Sequence, residues 1–305
     1  MKPIIEIRDL RKKFKKTFAV DGLNLVVPEG AVTAFLGPNG AGKTTTIKCL
    51  LNIHKPDAGV LNVLGVDSRR LGPEEFRQIG YVSENQELPL WMTVRQFMDY
   101  CRPMYPGWDV AFAAKLLKEF ELPPEVKLKA CSRGMRMKAA LLCSLAYRPK
   151  LVVLDEPFSG LDPLVRDEFI RGMLELTDNE GWTVLVSSHD IAEVERMADR
   201  VAILHRGQLQ LEDTADNLQA RFRTVEIVLN DGAESPAKLP ETWLNVELAG
   251  RLLRFTDSRF DDAVLKGEVG KHFPAAKQCN VVPMSLREIF VALARTYRLN
   301  GLASQ

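Results

Sequence analysis

Apolar and polar positions alternate through residues 4–27 in two runs, IIEIRDL and FAVDGLNLVV, which predicts two half-buried antiparallel strands separated by the basic stretch RKKFKK. The next apolar run, AVTAFL, is continuous and predicts a buried strand. A glycine-rich turn and the helical TTTIKCLLNI follow it. From about Pro73 to Tyr147 the spacing is mostly helical, interrupted at ELPLWMT and RPMYPGWD, and predicts a helical subdomain over about 85–147. Strands return at KLVVLD, TVLVSS and RVAIL, with the helical PLVRDEFIRGMLELT between the first two. That alternation builds a parallel sheet with helices on its faces.

Past Arg221 the pattern changes. TVEIVLN and the pair LNVEL and RLLRFT, joined by AG, predict short strands, the pair as a hairpin. Helices are predicted at RFDDAVLKGEVGKHF and SLREIFVALARTYRL, and Ser285 with Glu288 forms a capping-box pattern at the start of the second. The chain is therefore read as α/β over 1–221 with a small α+β domain over 222–305. Neither internal repeats nor low-complexity tracts interrupt it.

Composition narrows the function classes. The 305 residues are 46% hydrophobic and 27% charged, enough for a large core, and 41 basic residues balance 40 acidic ones for a net charge of +1. So even a balance leaves no broad positive field, and no nucleic acid partner is expected. Five cysteines without a CxxC pair suggest neither a disulfide framework nor a zinc site, and reduced cytosolic thiols are expected. No apolar run reaches signal-peptide or bilayer length, so the chain is not expected to cross a membrane alone.

The candidate chemistry lies at the ends of the predicted buried strands. GPNGAGKTT, comprising Gly37, Pro38, Asn39, Gly40, Ala41, Gly42, Lys43, Thr44 and Thr45, fits GxxxxGK[ST] with a strand before it and a helix after it. Glycines there let backbone N–H groups turn onto a polyphosphate, Lys43 reaches the β and γ phosphates, and the Thr44 hydroxyl can ligate Mg2+. LVVLDEP delivers Asp155 and Glu156 to a strand end, where adjacent carboxylates are costly without a cation. Asp155 is read as a metal contact and Glu156 as the general base for an attacking water. His189 follows TVLVSS at the same carboxyl edge and is read as a γ-phosphate contact.

Together, GPNGAGKTT, LVVLDEP, SGLD at Ser159–Asp162 and SSHD at Ser187–Asp190 resemble an ATP-binding cassette (ABC) ATPase, the P-loop NTPase cassette with a mixed or parallel sheet, an antiparallel β subdomain and a helical subdomain, over roughly residues 3–215. The resemblance implies ATP and Mg2+ as ligands and a head-to-tail dimer, with itself or a paralogous cassette, in which the signature of one subunit closes the site of the other. It places CSRGM, Cys131–Met135, at the LSGGQ signature, with Ser132 and Gly134 supplying the hydroxyl and the close-approaching backbone, and it places Asp162 in the loop that helps join two cassettes. Arg133 replaces a signature glycine and adds positive charge near an anion. CSRGM is read as a working variant, similar to the LSKGM form of cassette exporters. The glutamine that senses magnesium in the family falls on Glu84, with Gln86 two residues on, and both stay open as the contact. Phe14 takes the place of the family's adenine-stacking aromatic.

The resemblance implies an ATP-hydrolysing transporter subunit, peripheral on the cytoplasmic face of the membrane and partnered with a separate membrane-spanning permease. The segment ending SLREIFVALAR resembles the C-terminal extension of exporter cassettes, which favours export. A soluble cassette that remodels a ribosome or DNA complex is the alternative. It fits less well, because such cassettes carry paired copies or long coiled coils that this sequence lacks.

Overall fold

The alternation at the start of the chain folds as two long antiparallel partners, β1 (Pro3–Phe14) and β2 (Thr17–Pro28). Ile5, Ile7 and Leu10 of one strand and Leu23, Leu25 and Val27 of the other are buried. The basic stretch is no separate element: Arg11–Phe14 complete β1, and the chain turns at Lys15, whose φ is 54°, and Lys16. Two strands that the residue pattern did not announce, β4 (Ala58–Val63) and β5 (Val66–Asp67), extend this sheet in the order β2-β1-β4-β5. The computed structural model describes residues 2–230, 239–274 and 276–302.

A second sheet carries the site. Its order is β10 (Gln208–Thr214), β9 (Arg200–His205), β3 (Val32–Leu36), β8 (Thr183–Ser188), β7 (Leu151–Asp155) and β6 (Ile79–Ser83). The pairs β9/β3, β3/β8, β8/β7 and β7/β6 are all parallel. Every residue of β3, β7 and β8 is buried, which is why these strands read as continuous apolar runs: a parallel sheet is covered on both faces. Helix α1 (Lys43–Leu50) lies in one core with both sheets, where Ile47 and Leu50 join Ile7, Leu25 and Leu61 on one side and Phe35, Val153 and Leu185 on the other. Each such side chain contributes about 1.5–3 kcal/mol by leaving water.

β6 corrects the reading of Pro73–Tyr147 as mostly helical. Only α2 (Pro73–Phe76) precedes it there. Its five residues are too few to show a period, and its pairing with β7 is a tertiary contact. Gly80 also matters, since a Cβ there would stand 2.7 Å from the Ser144 carbonyl oxygen on the helix above. The helical part then forms as α3 (Val94–Cys101), α4 (Val110–Glu119) and α5 (Arg133–Leu145), with N-caps at Thr93, Asp109 and Ser132. Helix α6 (Pro163–Glu180) connects β7 to β8. Among the described residues no helix is long and apolar enough to cross a membrane.

The chain divides into two units, Met1–Glu212 and Asp213–Gln305, nine residues ahead of the change in pattern at Arg221. The second unit opens with α7 (Ala215–Arg221) and has an antiparallel sheet in the order β12 (Trp243–Ala249), β13 (Leu252–Asp257), β11 (Arg223–Val228) and β14 (Gln278–Pro283). The expected hairpin is β12/β13, turning at Gly250, whose φ is 61°. Trp243 stacks on Phe255 with ring centroids 4.0 Å apart, and Leu265 and Val269 of α8 (Asp262–His272) close the same core. Helix α9 (Leu286–Leu302) begins with the expected box: Glu288 accepts from the Ser285 N–H at 2.8 Å, and Ser285 Oγ accepts from the Glu288 N–H at 3.3 Å. β14, with no alternating burial, was not legible in QCNVVP.

Candidate active site

The loop Gly37–Gly42 passes from the end of β3 into α1. Gly42, the residue before the helix, has φ 107°, and a Cβ there would stand 2.4 Å from the Ala19 carbonyl oxygen. Only glycine meets both demands. Lys43 folds back over the loop, its Nζ donating to Gly37 O at 2.6 Å and Pro38 O at 3.3 Å. The loop opens on a cavity of about 270 Å³ lined by Ala19, residues 39–45, Glu84 and Glu156. Backbone N–H groups of a helix's first turn have no partner inside the helix and attract an anion.

Strand register brings the carboxylates to this cavity. Asp155, last in β7, stands opposite Ser83 of β6 and Ser187 of β8. Its Oδ1 accepts from Ser187 Oγ at 2.7 Å and from Thr44 Oγ1 at 3.0 Å. Asp155 is 2% exposed. Burial pushes its carboxyl above the ordinary aspartate value, against the pull of the Ser187 and Thr44 hydroxyls. The next residue, Glu156, has φ 53°, a left-handed backbone that a side chain rarely adopts. Its N–H donates to Ser187 Oγ at 3.0 Å. Its carboxylate lies between two groups, Oε1 3.0 Å from Lys43 Nζ and Oε2 2.7 Å from His189 Nδ1.

Sequence reasoning missed Ser187 and Glu193. Ser187 stood two residues before the noted histidine in SSHD, but only register shows that it joins Asp155 to Glu156. Glu193 is 3% exposed, accepts from Ser188 Oγ, and lies 3.5 Å from Arg166. Burial raises its carboxyl, opposed by the Ser188 hydrogen bond. Ligand atoms of Glu156, His189 and Glu193 lie within 4.8 Å of one another, close enough to share a cation. For Mg2+ the better donor set is Thr44 and Asp155, oxygen ligands of the hard type that ion takes, with a buried carboxylate that accepts from the Ser187 and Thr44 hydroxyls.

The remaining candidates fall in three groups. Glu84 lines the phosphate-loop cavity, its N–H donating to Asp155 O at 2.9 Å, whereas Gln86 lines neighbouring hollows under α5. Burial opposes ionisation of Glu84, but hydrogen bonds from Ser159 and Arg133 outweigh it and hold the carboxyl below its ordinary value. Ser132, Gly134 and Asp162 sit at helix starts and are not among the residues that line that cavity. Ser132 Oγ accepts from the Met135 N–H at 3.1 Å, Asp162 Oδ1 accepts from the Val165 N–H at 3.0 Å, and a Cβ on Gly134 would press to 2.8 Å from Val165 of α6. Phe14, 46% exposed, ends β1 with its ring edge-on to His54 at 5.6 Å.

A glycine-rich phosphate loop, its lysine, and two acidic residues at the end of a buried parallel strand define a P-loop nucleotide-binding ATPase. The family model described as ABC transporter matches residues 20–159. The uncharacterized ABC transporter ATP-binding protein YhcH of Bacillus subtilis is 34% identical over 68% of this chain and 69% of its own length. The bacitracin transport ATP-binding protein BcrA of Bacillus licheniformis is 33% identical over 76% of each chain. The sulfate/thiosulfate import ATP-binding protein CysA of Mycobacterium bovis is 32% identical over 68% of this chain and 60% of its own. A solved structure of an ATP binding subunit of an ABC transporter, 29% identical, superimposes with a TM-score of 0.64 over 71% of this chain and 92% of its own. The chain belongs to the ABC transporter ATP-binding family. It is an ATP-binding subunit with ATPase chemistry, of a kind that works with membrane subunits.

Proposed function

We propose that the chain powers export: it hydrolyses ATP on the cytoplasmic face of the membrane, as a head-to-tail dimer of cassettes seated on separate membrane-spanning subunits. The observation that carries the catalytic part is the Glu156 carboxylate, held between Lys43 at 3.0 Å and His189 at 2.7 Å beside the phosphate-loop cavity. In this reading the loop N–H groups and Lys43 grip the β and γ phosphates. Glu156 orients a water and takes its proton. His189 keeps the carboxylate aimed and meets the γ phosphate. Thr44 and Asp155, with Glu84 at the rim, would hold Mg2+, which when bound supplies neutralising charge for the phosphates. Ser132, Gly134 and Asp162 act across the dimer on the partner's nucleotide, and Phe14 stacks on adenine.

Glu156→Gln tests the catalytic part: kcat for ATP hydrolysis is expected to fall by about 10²–10⁴, the scale of general-base catalysis, with ATP affinity retained. A variant that hydrolyses ATP at the parent rate would remove Glu156 from the role.

Export is favoured by the C-terminal unit, whose final helix resembles the exporter extension, and by coverage: the bacitracin relative aligns with 76% of this chain and the sulfate importer with 68%. Cells lacking the chain are expected to accumulate more of an exported peptide antibiotic than parent cells, measured with a labelled panel. Reduced uptake of sulfate, with antibiotic levels unchanged, would point to import instead.

A further inference from the structure

Two of the places where this sequence departs from the cassette pattern, Arg133 in the signature and Glu84 in the magnesium-sensing segment, meet in the fold. Arg133 Nη2 donates to Glu84 Oε1 at 2.8 Å, and Ser159 Oγ donates to the same oxygen at 2.7 Å. The guanidinium has a prepared bed. Gly160 has φ 67°, and a Cβ there would stand 2.5 Å from Arg133 Nη1 and 2.9 Å from Cζ, so the group lies against bare backbone that no larger residue leaves open. Two separate segments, one with Arg133 and one with Ser159 and Gly160, thus converge on one carboxylate of a residue that also lines the phosphate-loop cavity.

Glycine at the position of Arg133 could make no such pair, and an amide at the position of Glu84 would give no ion pair. Each departure supplies the charge that the other needs. The Glu84 carboxylate has two possible counter-charges, the guanidinium on one side and a divalent cation near Thr44 and Asp155 on the other. Ser159, bonded to the same oxygen, strengthens the first arrangement.

We propose that Arg133 is a positioning residue that draws Glu84 away from the nucleotide's divalent cation, so that cation binding and release of the Arg133–Glu84 pair are coupled. This rests on the reading of Glu84 as a cation contact. Occupation of the cavity then frees the guanidinium at the start of α5, next to Ser132, and the signature's charge reports whether its own chain is loaded.

The test is a Mn2+ titration, followed by electron paramagnetic resonance, of the full chain saturated with a non-hydrolysable ATP analogue. Arg133→Met is expected to lower the half-saturating Mn2+ concentration about two- to fivefold, the scale of a part-exposed ion pair. Arg133→Lys, which keeps the charge, should stay near the parent value. In a Glu84→Gln background the effect of Arg133→Met should vanish. Arg133→Gln replaces the methionine variant if that one does not fold. Unchanged or weaker Mn2+ binding on loss of Arg133, or an effect that persists without Glu84, would overturn the proposal. A purely structural role would weaken binding. Asp155→Asn separates the two failures: if it leaves Mn2+ binding intact, the cation site itself has been misplaced, and if it weakens binding while Arg133→Met does nothing, only the coupling is wrong.

Discussion

Glu156 holds a left-handed backbone at φ 53°, a conformation that costs a residue with a side chain on the order of 1–3 kcal/mol and persists only where its surroundings enforce it. Here they do, through the hydrogen bond to Ser187 and the contacts with Lys43 and His189. Its neighbour Asp155 is held at a different cost. Burial raises its carboxyl pKa, so at neutral pH the unfolded chain ionises it more readily than the folded chain does. A raised folded value means that the penalty is absent at low pH and grows as the pH rises through that value. Asp155→Asn is therefore expected to raise the Tm of the nucleotide-free chain at neutral pH by about 2–4 °C, equivalent to about 1 kcal/mol, with the gain shrinking as the pH is lowered. A calorimetric scan over pH checks this. A loss of stability at neutral pH would mean that the Thr44 and Ser187 hydroxyls outweigh the desolvation. Lys43, Asp155, Glu156 and His189 were legible because each lies inside a short contiguous motif. Ser187 and Glu193 were not, since a serine two residues before a histidine or an acid four residues beyond it acquires meaning only from strand register and burial.

At the scale of elements, legibility followed the way each piece is stabilised. β3, β7 and β8 were visible as apolar runs because both their faces are covered, and α6 and α9 because their helical spacing runs for several turns. β4, β6 and β14 were not. Each is five or six residues long and is held by pairing to a strand distant in sequence, as β6 is to β7 and β14 to β11. Lys15 and Lys16 were grouped with a separating basic stretch, although most of that stretch continues β1. Ser132 shows one residue serving at two levels. Its hydroxyl caps α5 through the Met135 N–H, which explains why a serine suits the position locally, and the same exposed helix start is what the proposed dimer offers to a phosphate. Glycine at 134 is likewise demanded within the chain by Val165 of α6, before any partner is considered. The signature's meeting with Glu84 was beyond sequence reasoning, because a separation of 49 positions along the chain says nothing of the 2.8 Å contact.

On the scale of the molecule, a phosphate-binding cavity and a helix start suited to closing one both occur in a single chain, with Ser132 and Gly134 outside the cavity's lining. The cavity is lined by residues 39–45, Ala19, Glu84 and Glu156, while Ser132 and Gly134 lie on α5. In the proposed reading one copy binds nucleotide but leaves it open, and two copies placed head to tail close two sites. The second unit keeps its own core around Trp243 and Phe255. The most direct measurement is the solution mass, by light scattering, of the Glu156→Gln chain with ATP and Mg2+. The expected result is twice the mass of one chain, returning to that of one chain when Ser132→Arg is added, with ATP still bound. A single-chain mass in saturating ATP, or a dimer indifferent to Ser132→Arg, would contradict a site completed by the facing copy.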